Sequence, residues 1–542
     1  MIVGCDLATP YTSINFIISE GSSDSYLIKD SLDLSFKLGV GLIDPNFLII
    51  ISETLKEAYT LFGENFGVSE AQQYGEGFTF DEDVCKKDTE LFNKCDRSIA
   101  AMAGQIFENS LENRLNEVRV RQLRALDEDP DSDNDPDWDR LEKLATMGVK
   151  MTLPENFIPM KEPRPLRNTY EAVSGAVNKT LLKYRDKNFC IFLKTKDVLG
   201  AKETLHFNDI HWVPKQNAPE GRTIADVSAC NKNTSALNSE FVKEKGIELY
   251  GNLNHPTVKM YAKMVLDAKD YYAKNIKEGD VLMMFKIDIK DAFMQFRLNK
   301  DSVSYVCFTL TNAITLLFLS GFFGWTSFPQ CFGIVTRLLL RVAKSKMILF
   351  MQGYCDDFSG CTIASKLEKE ITVFSSLIYT LFGVDSISHK KTERGRKVVH
   401  IGWEIDLDNG YLDELGVPIG TISLSRRNLL KLLHGFFSLP SDFLLSRDQL
   451  ERLASWMARY SSVVLPQLKP YSAILFKEIS GRKSNMSRCI SNEAINATIV
   501  IFPWQFTRPL FHLLDMKPSI MLNFDASLNG LGVRLFYCLG QM

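Results

Sequence analysis

The decapeptide MQGYCDDFSG, residues 351–360, sets two adjacent aspartates between apolar flanks, MILF before and Cys361 and Ile363 after. Side-by-side carboxylates repel each other, and taking them out of water is costly. A chain carrying such a pair must either turn it into solvent or place something positive against it. That choice constrains the fold around residues 356 and 357 more than any other feature of the sequence.

A second acidic site narrows the choice. In FKIDIKDAFMQFRL, the apolar run 281–287 (VLMMFKI) reads as a buried strand that delivers Asp288 at its end, followed by Asp291 and Phe293. The run 346–351 (KMILFM) reads as another strand, leading through Tyr354 into Asp356 and Asp357. An acid at one strand end and two in a strand-turn-strand can meet at one point. Each aspartate alone reads more simply as a cap or turn residue. As a set of hard oxygen donors they suit two Mg²⁺ ions, with Mn²⁺ as a substitute. Ions held in this way would align an attacking 3′-hydroxyl with a triphosphate, which is polymerase chemistry.

Composition bounds the rest. The 542 residues, 45% hydrophobic and 24% charged, are ordinary for soluble globular protein, and the length suggests about two to four domains. A net charge of -3 gives no overall basic field, so a nucleic-acid partner would need a local patch. The eleven cysteines are scattered without a CxxC pair, and the seven histidines form no ligand-spaced cluster, which argues for a reducing compartment and against a zinc module. The N-terminus shows no signal-peptide pattern, so an intracellular location, cytoplasmic or nuclear, is expected. Residues 302–336 carry no charge and include ITLLFLSGFFGW. Asn312, Ser320, Pro329 and Gln330 interrupt this run, which therefore reads as buried core with loops and not as a membrane span.

The first 95 or so residues match no recognisable pattern. Residues 97–126 read as one long packing helix, with Ile99, Met102, Ile106, Leu111, Leu115 and Val118 on its apolar stripe and arginines between them; self-association is the other reading. DEDPDSDNDPDWDRLE follows. Counted from Asp131, its acids fall at the ligand positions of a calcium loop, but Pro136 stands where the sharp turn needs Gly. The sequence therefore predicts an N-terminal region at 1–126 and a solvated acidic linker at 127–150. Beyond it the chain alternates strand-like and helix-like runs, then reads as helices at 427–438, 446–460 and 464–479. It has no internal repeat and no phosphate-binding GxxxxGK[ST] loop.

Six blocks in order across residues 213–406 resemble the reverse transcriptases of retroelements. VPKQNAPEGRTIADVSACNKNT (213–234) is similar to the fingers segment, DIKDAF (288–293) to the first catalytic motif and FFGWTSFPQCF (322–332) to the PFGLxxAPxxF segment. YCDD (354–357) resembles the second catalytic motif, LFGVDSISHKK (381–391) the motif with the catalytic lysine, and HIGWEID (400–406) the primer grip. The resemblance implies an α+β fold, with a right-hand polymerase palm of antiparallel sheet and helices. Fingers and palm would occupy 151–420 and a helical thumb or connection 421–515.

The same resemblance implies roles. Asp288, Asp356 and Asp357 would be the catalytic and metal-binding acids. Lys215 and Arg222, on what should be a β-hairpin, would meet the triphosphate, and Asp226 and Asn231 would hold that segment, although Ser228 replaces the family's second arginine. Asp291 and Tyr354 belong to the nucleotide site. Phe293 would lie under the sugar, where a ring excludes a 2′-hydroxyl and so selects dNTPs. Phe323 and Gly324 would floor that site. Lys390 matches the general acid for pyrophosphate, with Lys391 a rival because the spacing permits either. Ile401, Gly402 and Trp403 match the primer grip, and Arg426, Arg427, Lys431, Arg447 and Arg452 are candidates for template-primer phosphates, though most read as solvated faces.

MLNFDASLNGLGVRLF (521–536) resembles the opening strand of a retroelement RNase H, with Asp525 at its first metal ligand. Residues 516–542 would then be a truncated RNase H-like fragment without RNase H activity, a form reminiscent of LTR or DIRS-type retrotransposons. Nothing resembles an integrase, a retropepsin or a CCHC knuckle, so other element-encoded proteins are expected as partners, beside an RNA or DNA template with primer and dNTPs. Two alternatives remain open: a degenerate or domesticated remnant that binds nucleic acid without polymerising, and an RNA-dependent RNA polymerase, which Phe293 and YCDD disfavour. Oligomeric state is not legible.

Overall fold

The computed structural model describes residues 82–109, 114–164, 174–215, 218–274, 280–310, 313–409, 420–437, 439, 443–464, 469–480 and 487–500, with short pieces between 53 and 61 and the strands 507–509, 520–527 and 530–537. The chain is an α+β protein of mainly antiparallel sheets and many helices. It divides into two compact units, Glu70–Gly395 and a second composed of Met1–Ser69 with Arg396–Met542.

The first unit opens with helices α1 (Lys86–Lys94), α2 (Ile99–Glu108), α3 (Glu117–Arg124), α4 (Pro136–Met147) and α5 (Ser174–Asp186). Strands β1 (Cys190–Lys194), β2 (Phe207–Lys215) and β3 (Ala218–Asp226) come next, then α6 (Glu240–Tyr250) and α7 (Val258–Ala273). The unit closes with β4 (Leu282–Asp288), β5 (Cys307–Thr309), β6 (Ile314–Phe318), α8 (Phe328–Ser345), β7 (Met351–Tyr354), β8 (Asp357–Ile363), α9 (Ala364–Phe382) and β9 (Glu393–Gly395). One sheet has the order β1-β6-β5-β2-β3, and β2 with β3 forms the expected hairpin. The other has the order β7-β8-β4-β9 and packs against α7, α8 and α9.

The uncharged stretch 302–336 supplies β5, β6 and the start of α8, where Phe308, Leu316, Leu317, Phe328 and Phe332 are fully buried. Among the described residues no helix is long and apolar enough to cross a membrane.

Three sequence expectations are corrected here. The long helix at 97–126 is two helices, because Asn109 caps the end of α2 and the Asn116 side chain accepts the Arg119 N–H to start α3. Short polar side chains that bond the backbone favour such ends over helix interiors. The acidic stretch is not a solvated linker. Asp135 caps α4 with Pro136 at its first position, Trp138 and Leu141 are fully buried, and the compact unit runs through it without a boundary. The strand expected at 346–351 begins only at Met351, since Lys346 caps the end of α8 and Met347 takes a left-handed φ of 66°.

The second unit holds β10 (Lys397–His400), β11 (Trp403–Asp406), β12 (Thr421–Leu424), α10 (Arg426–Phe437), β13 (Leu444–Leu445), α11 (Arg447–Val463) and α12 (Lys469–Ser480). It continues with β14 (Arg488–Cys489), α13 (Asn492–Val500), β15 (Thr507–Pro509), β16 (Ile520–Ser527) and β17 (Gly530–Tyr537). The expected helices at 427–438, 446–460 and 464–479 are present as α10 to α12, and a Ser446/Gln449 capping box starts α11. Asp525 lies on β16, which pairs with β17; its side chain is outside the described residues.

Candidate active site

The acids meet because of one ladder. β4 and β8 pair antiparallel from Leu282↔Ile363 to Asp288↔Asp357, so the last rung sets two aspartates opposite each other. Phe285 pins the register by lying over Gly360, where an added Cβ would come within 2.3 Å of its ring. Asp356 occupies the turn between β7 and β8. Cys355 before it takes a left-handed φ of 52°, and the turn is tied down by Ile289 N–H donating to Asp356 O (2.9 Å) and Thr336 Oγ1 donating to Cys355 O (2.9 Å). The apolar strands thus hold three carboxylates at one end of the sheet.

These carboxylates press on one another. Burial, then the charges of Asp288 and Asp357, push Asp356 up to about 6. Asp288, only 4% exposed, is raised by burial against the opposing pull of Lys391. Lys391 Nζ stands 2.6 and 2.7 Å from the two Asp288 oxygens. Lys286 Nζ, from the same strand, is 3.5 Å from Asp357 Oδ1, an atom that is buried and accepts no hydrogen bond. Among the described residues, no group of three histidine, cysteine, aspartate or glutamate side chains is arranged to hold a metal ion.

Lys391 owes its place to the single helical turn His389–Lys391. Ser388 N–H donates to Asp288 O (2.9 Å) and Lys391 N–H to Ser388 O (2.9 Å), which docks the turn on the end of β4. Lys390, on the same turn, is exposed. Of the two lysines that the spacing permits, Lys391 and not Lys390 reaches the carboxylates.

No protein-family model matches the sequence, and no curated protein matches it. Among solved structures the chain is similar to the foamy viral protease-reverse transcriptase in complex with double-stranded DNA, at 16% identity and a TM-score of 0.40, over 78% of each chain. The dRH form with double-stranded DNA gives 16% identity and a TM-score of 0.38, over 77% of this chain and 65% of that one. The complex with an RNA/DNA hybrid gives 14% and 0.39, over 77% and 50%.

The remaining expected residues are distributed as follows. Asp291, at a left-handed φ of 52°, pairs with Lys187 Nζ at 2.6 Å. Phe293 is half-buried, with ring centroids 5.2 Å from Phe323 and 6.2 Å from Phe328. Phe323 O accepts Ala225 N–H at 2.8 Å, and Gly324, at φ 125°, lets the chain approach so closely that a Cβ would lie 1.8 Å from Ala225 O. The pair thus docks the inner end of the β2–β3 hairpin. Lys215 and Arg222 lie on its two strands, and their side chains are outside the described residues. Asp226 Oδ2 is 3.0 Å from His211 Nε2, and its Oδ1 accepts Ser228 N–H, while Asn231 Oδ1 accepts Asn233 N–H and the Thr234 hydroxyl. Both therefore hold the segment.

Tyr354 stacks on His255, with centroids 4.0 Å apart and an angle of 21°. His255 also lies 3.9 Å from Cys355 Sγ. Nothing in its sequence surroundings marks it, because the contact joins residues a hundred positions apart.

In the second unit, Ile401 (φ 50°) and Gly402 (φ 76°) are the two central residues of the β10–β11 turn, both left-handed as in a type I′ hairpin. Gly402 O accepts Ser425 N–H and Asn428 Nδ2, and Trp403 is buried under Arg459, whose guanidinium lies 5.3 Å from the ring. A β-branched residue in the left-handed region is strained, and such strain persists where the surroundings enforce it. Of the basic residues expected to meet template-primer phosphates, Arg426 pairs with Glu57 and Arg447 with Glu451, while Arg452 is exposed.

Proposed function

We propose that this chain is a retroelement RNA-directed DNA polymerase that adds dNTPs to a primer 3′-hydroxyl, with the β7-β8-β4-β9 sheet as its palm. The observation that carries the reading is the last rung of the β4–β8 ladder, Asp288 opposite Asp357 with Asp356 beside them. Three carboxylates crowded at a strand end, paired among the described residues with lysines alone, suit a site completed by divalent cations. The donor chemistry fits Mg²⁺: all are hard oxygens, and buried Asp357 Oδ1 has a free acceptor. Asp288, Asp356 and Asp357 would hold two such ions, with Mn²⁺ as a substitute. Ions bound there supply charge neutralisation and alignment of the attacking and leaving oxygens.

The other residues would bind, select and move protons. Lys391 holds Asp288, and from that position it, in place of Lys390, would release a proton at Nζ to the leaving pyrophosphate. Phe293, backed by Phe323 and Phe328, would exclude a 2′-hydroxyl. Lys215 and Arg222 on the hairpin would meet the triphosphate, and the Ile401–Trp403 turn the primer strand.

The test is dNTP incorporation on a primed homopolymer RNA with Mg²⁺ or Mn²⁺, for the chain and for Asp356→Asn. Incorporation that falls about a thousandfold or more in the variant supports the reading. Silence from both, with folded protein that still binds template-primer, would favour a remnant that binds without polymerising. Ribonucleotide incorporation gained in Phe293→Val would mark that ring as the sugar selector.

A further inference from the structure

A cleft of about 740 Å³ opens in the first unit, lined in part by Arg114, Lys187, Phe189, Lys290, Gln295 and Asp385. Its volume falls in the range of small-molecule sites. What marks it is the state of Arg114. The side chain is nine-tenths buried at 7% exposure and lies 4.7 Å over the Phe189 ring, with Nη2 donating to Lys187 O. Its Nη1 is buried and donates to nothing, and no carboxylate pairs with it among the described residues. Burial pushes its pKa down to about 10, and the nearby Arg297 charge pushes in the same direction. A buried guanidinium without a counter-ion is costly unless an anion completes it.

The surroundings narrow the class of anion. Lys187 Nζ lies 5.5 Å over the same Phe189 ring, so two cations share one aromatic platform, and Lys290 is exposed nearby on the lining. Gln295 donates through Nε2 to Lys290 O, while its Oε1 is buried and accepts nothing. The lining therefore offers an unused buried donor and an unused buried acceptor. Glu108, Asp186 and Asp385 also line the cleft, but all are exposed and screened by water, while half-buried Asp291 on the same lining is paired with Lys187 Nζ at 2.6 Å and leaves Arg114 without a carboxylate. They would repel a long polyanion at the rim while leaving a small one to the buried arginine.

We propose that this cleft binds a small phosphate-bearing anion of the pyrophosphate class. An oxyanion takes the free Arg114 nitrogen, Lys187 and Lys290 add charge from outside, and a P–OH group donates to Gln295 Oε1. The inference does not rest on the polymerase reading: the lining includes Asp291 but none of Asp288, Asp356 and Asp357.

The experiment is calorimetric titration of the full chain with inorganic pyrophosphate in chelator, so that no metal bridges the ligand to the carboxylate cluster. Saturable binding is expected, weakened about tenfold or more in Arg114→Leu and in the Lys187→Ala/Lys290→Ala double variant, and unchanged in Asp356→Asn. If Arg114→Leu does not fold, the double lysine variant decides, since both its lysines are exposed. A deoxynucleoside triphosphate that binds no better than pyrophosphate supports a free phosphate ligand. One that binds tenfold better supports the same site with the nucleotide as source. Absence of saturable binding, equal affinity in the lysine variant, or loss of binding in Asp356→Asn would each overturn the proposal.

Discussion

Two acidic clusters in the first unit resolve the same electrostatic problem differently. In the stretch 127–137, Arg341 reaches Asp127 and Asp135 at 2.9 Å each and Asp129 at 3.3 Å, and Arg337 reaches Asp137 at 2.6 Å. The Asp127 side chain is entirely buried, yet a permanent, planar cation with several fixed donors satisfies it. At the end of β4 and β8, among the described residues, the acids pair with lysines and with no arginine. Lys391 serves Asp288, Lys286 stands off Asp357 at 3.5 Å, and Asp356 is left with its neighbours' charge and a pKa raised to about 6. The count of acids does not separate a structural cluster from a functional one. The identity of their counter-ions does, and a cluster left short of permanent charge is a candidate for cation binding.

The comparison can be broken at several points. Arg341→Ala should have the largest effect, costing about 2–4 kcal/mol in denaturant unfolding because it strands buried carboxylates, while incorporation per folded molecule is unchanged. An unchanged midpoint would make the acidic stretch the linker that its sequence suggests.

Asp356→Asn should do the opposite and stabilise the cation-free protein by about 1–3 kcal/mol at pH 8. The folded-state pKa of Asp356 lies above the ordinary 3.8, so the native state binds that proton more tightly than the unfolded chain does. Its contribution to stability is therefore lost as pH rises from about 4 to about 6. Wild type and variant should differ above that window and converge below it. A difference that grows toward acid would reverse the assignment.

Lys391→Met should lower the half-saturating Mg²⁺ concentration several-fold, about threefold to tenfold, since the ammonium competes for Asp288; Lys390→Met should leave it unchanged. The smallest effect is expected for Asp133→Asn. That side chain is 95% exposed and 3.6 Å from Arg124, so its removal should shift stability by no more than about 0.5 kcal/mol.

Much of the cluster at the end of β4 and β8 was legible because it depends on local pattern. An apolar strand ending in Asp288 and an acidic pair between apolar flanks appear in the sequence almost as they stand in β4 and β8, and the resemblance of residues 213–234 implied the β2–β3 hairpin. What could not be read depends on distance or on rotation. Arg341 meets Asp127 across more than two hundred residues, so a run of acids looks solvated until α8 arrives. Lys390 and Lys391 are adjacent, and only the rotation of one helical turn decides which faces Asp288. The break between α2 and α3 was visible in principle as Asn109 and Asn116, but the apolar periodicity across it concealed two caps. The stack of His255 on Tyr354 had no sequence signal at all.

The most direct test of the contrast is thermal unfolding of the full chain during titration with Mg²⁺ or Mn²⁺, beside Asp356→Asn. The wild-type midpoint should rise and saturate as cations relieve the crowded carboxylates, and the variant should show little or no rise. A wild-type midpoint that does not respond, or an equal rise in both proteins, would contradict the claim that Asp288, Asp356 and Asp357 form a cation site.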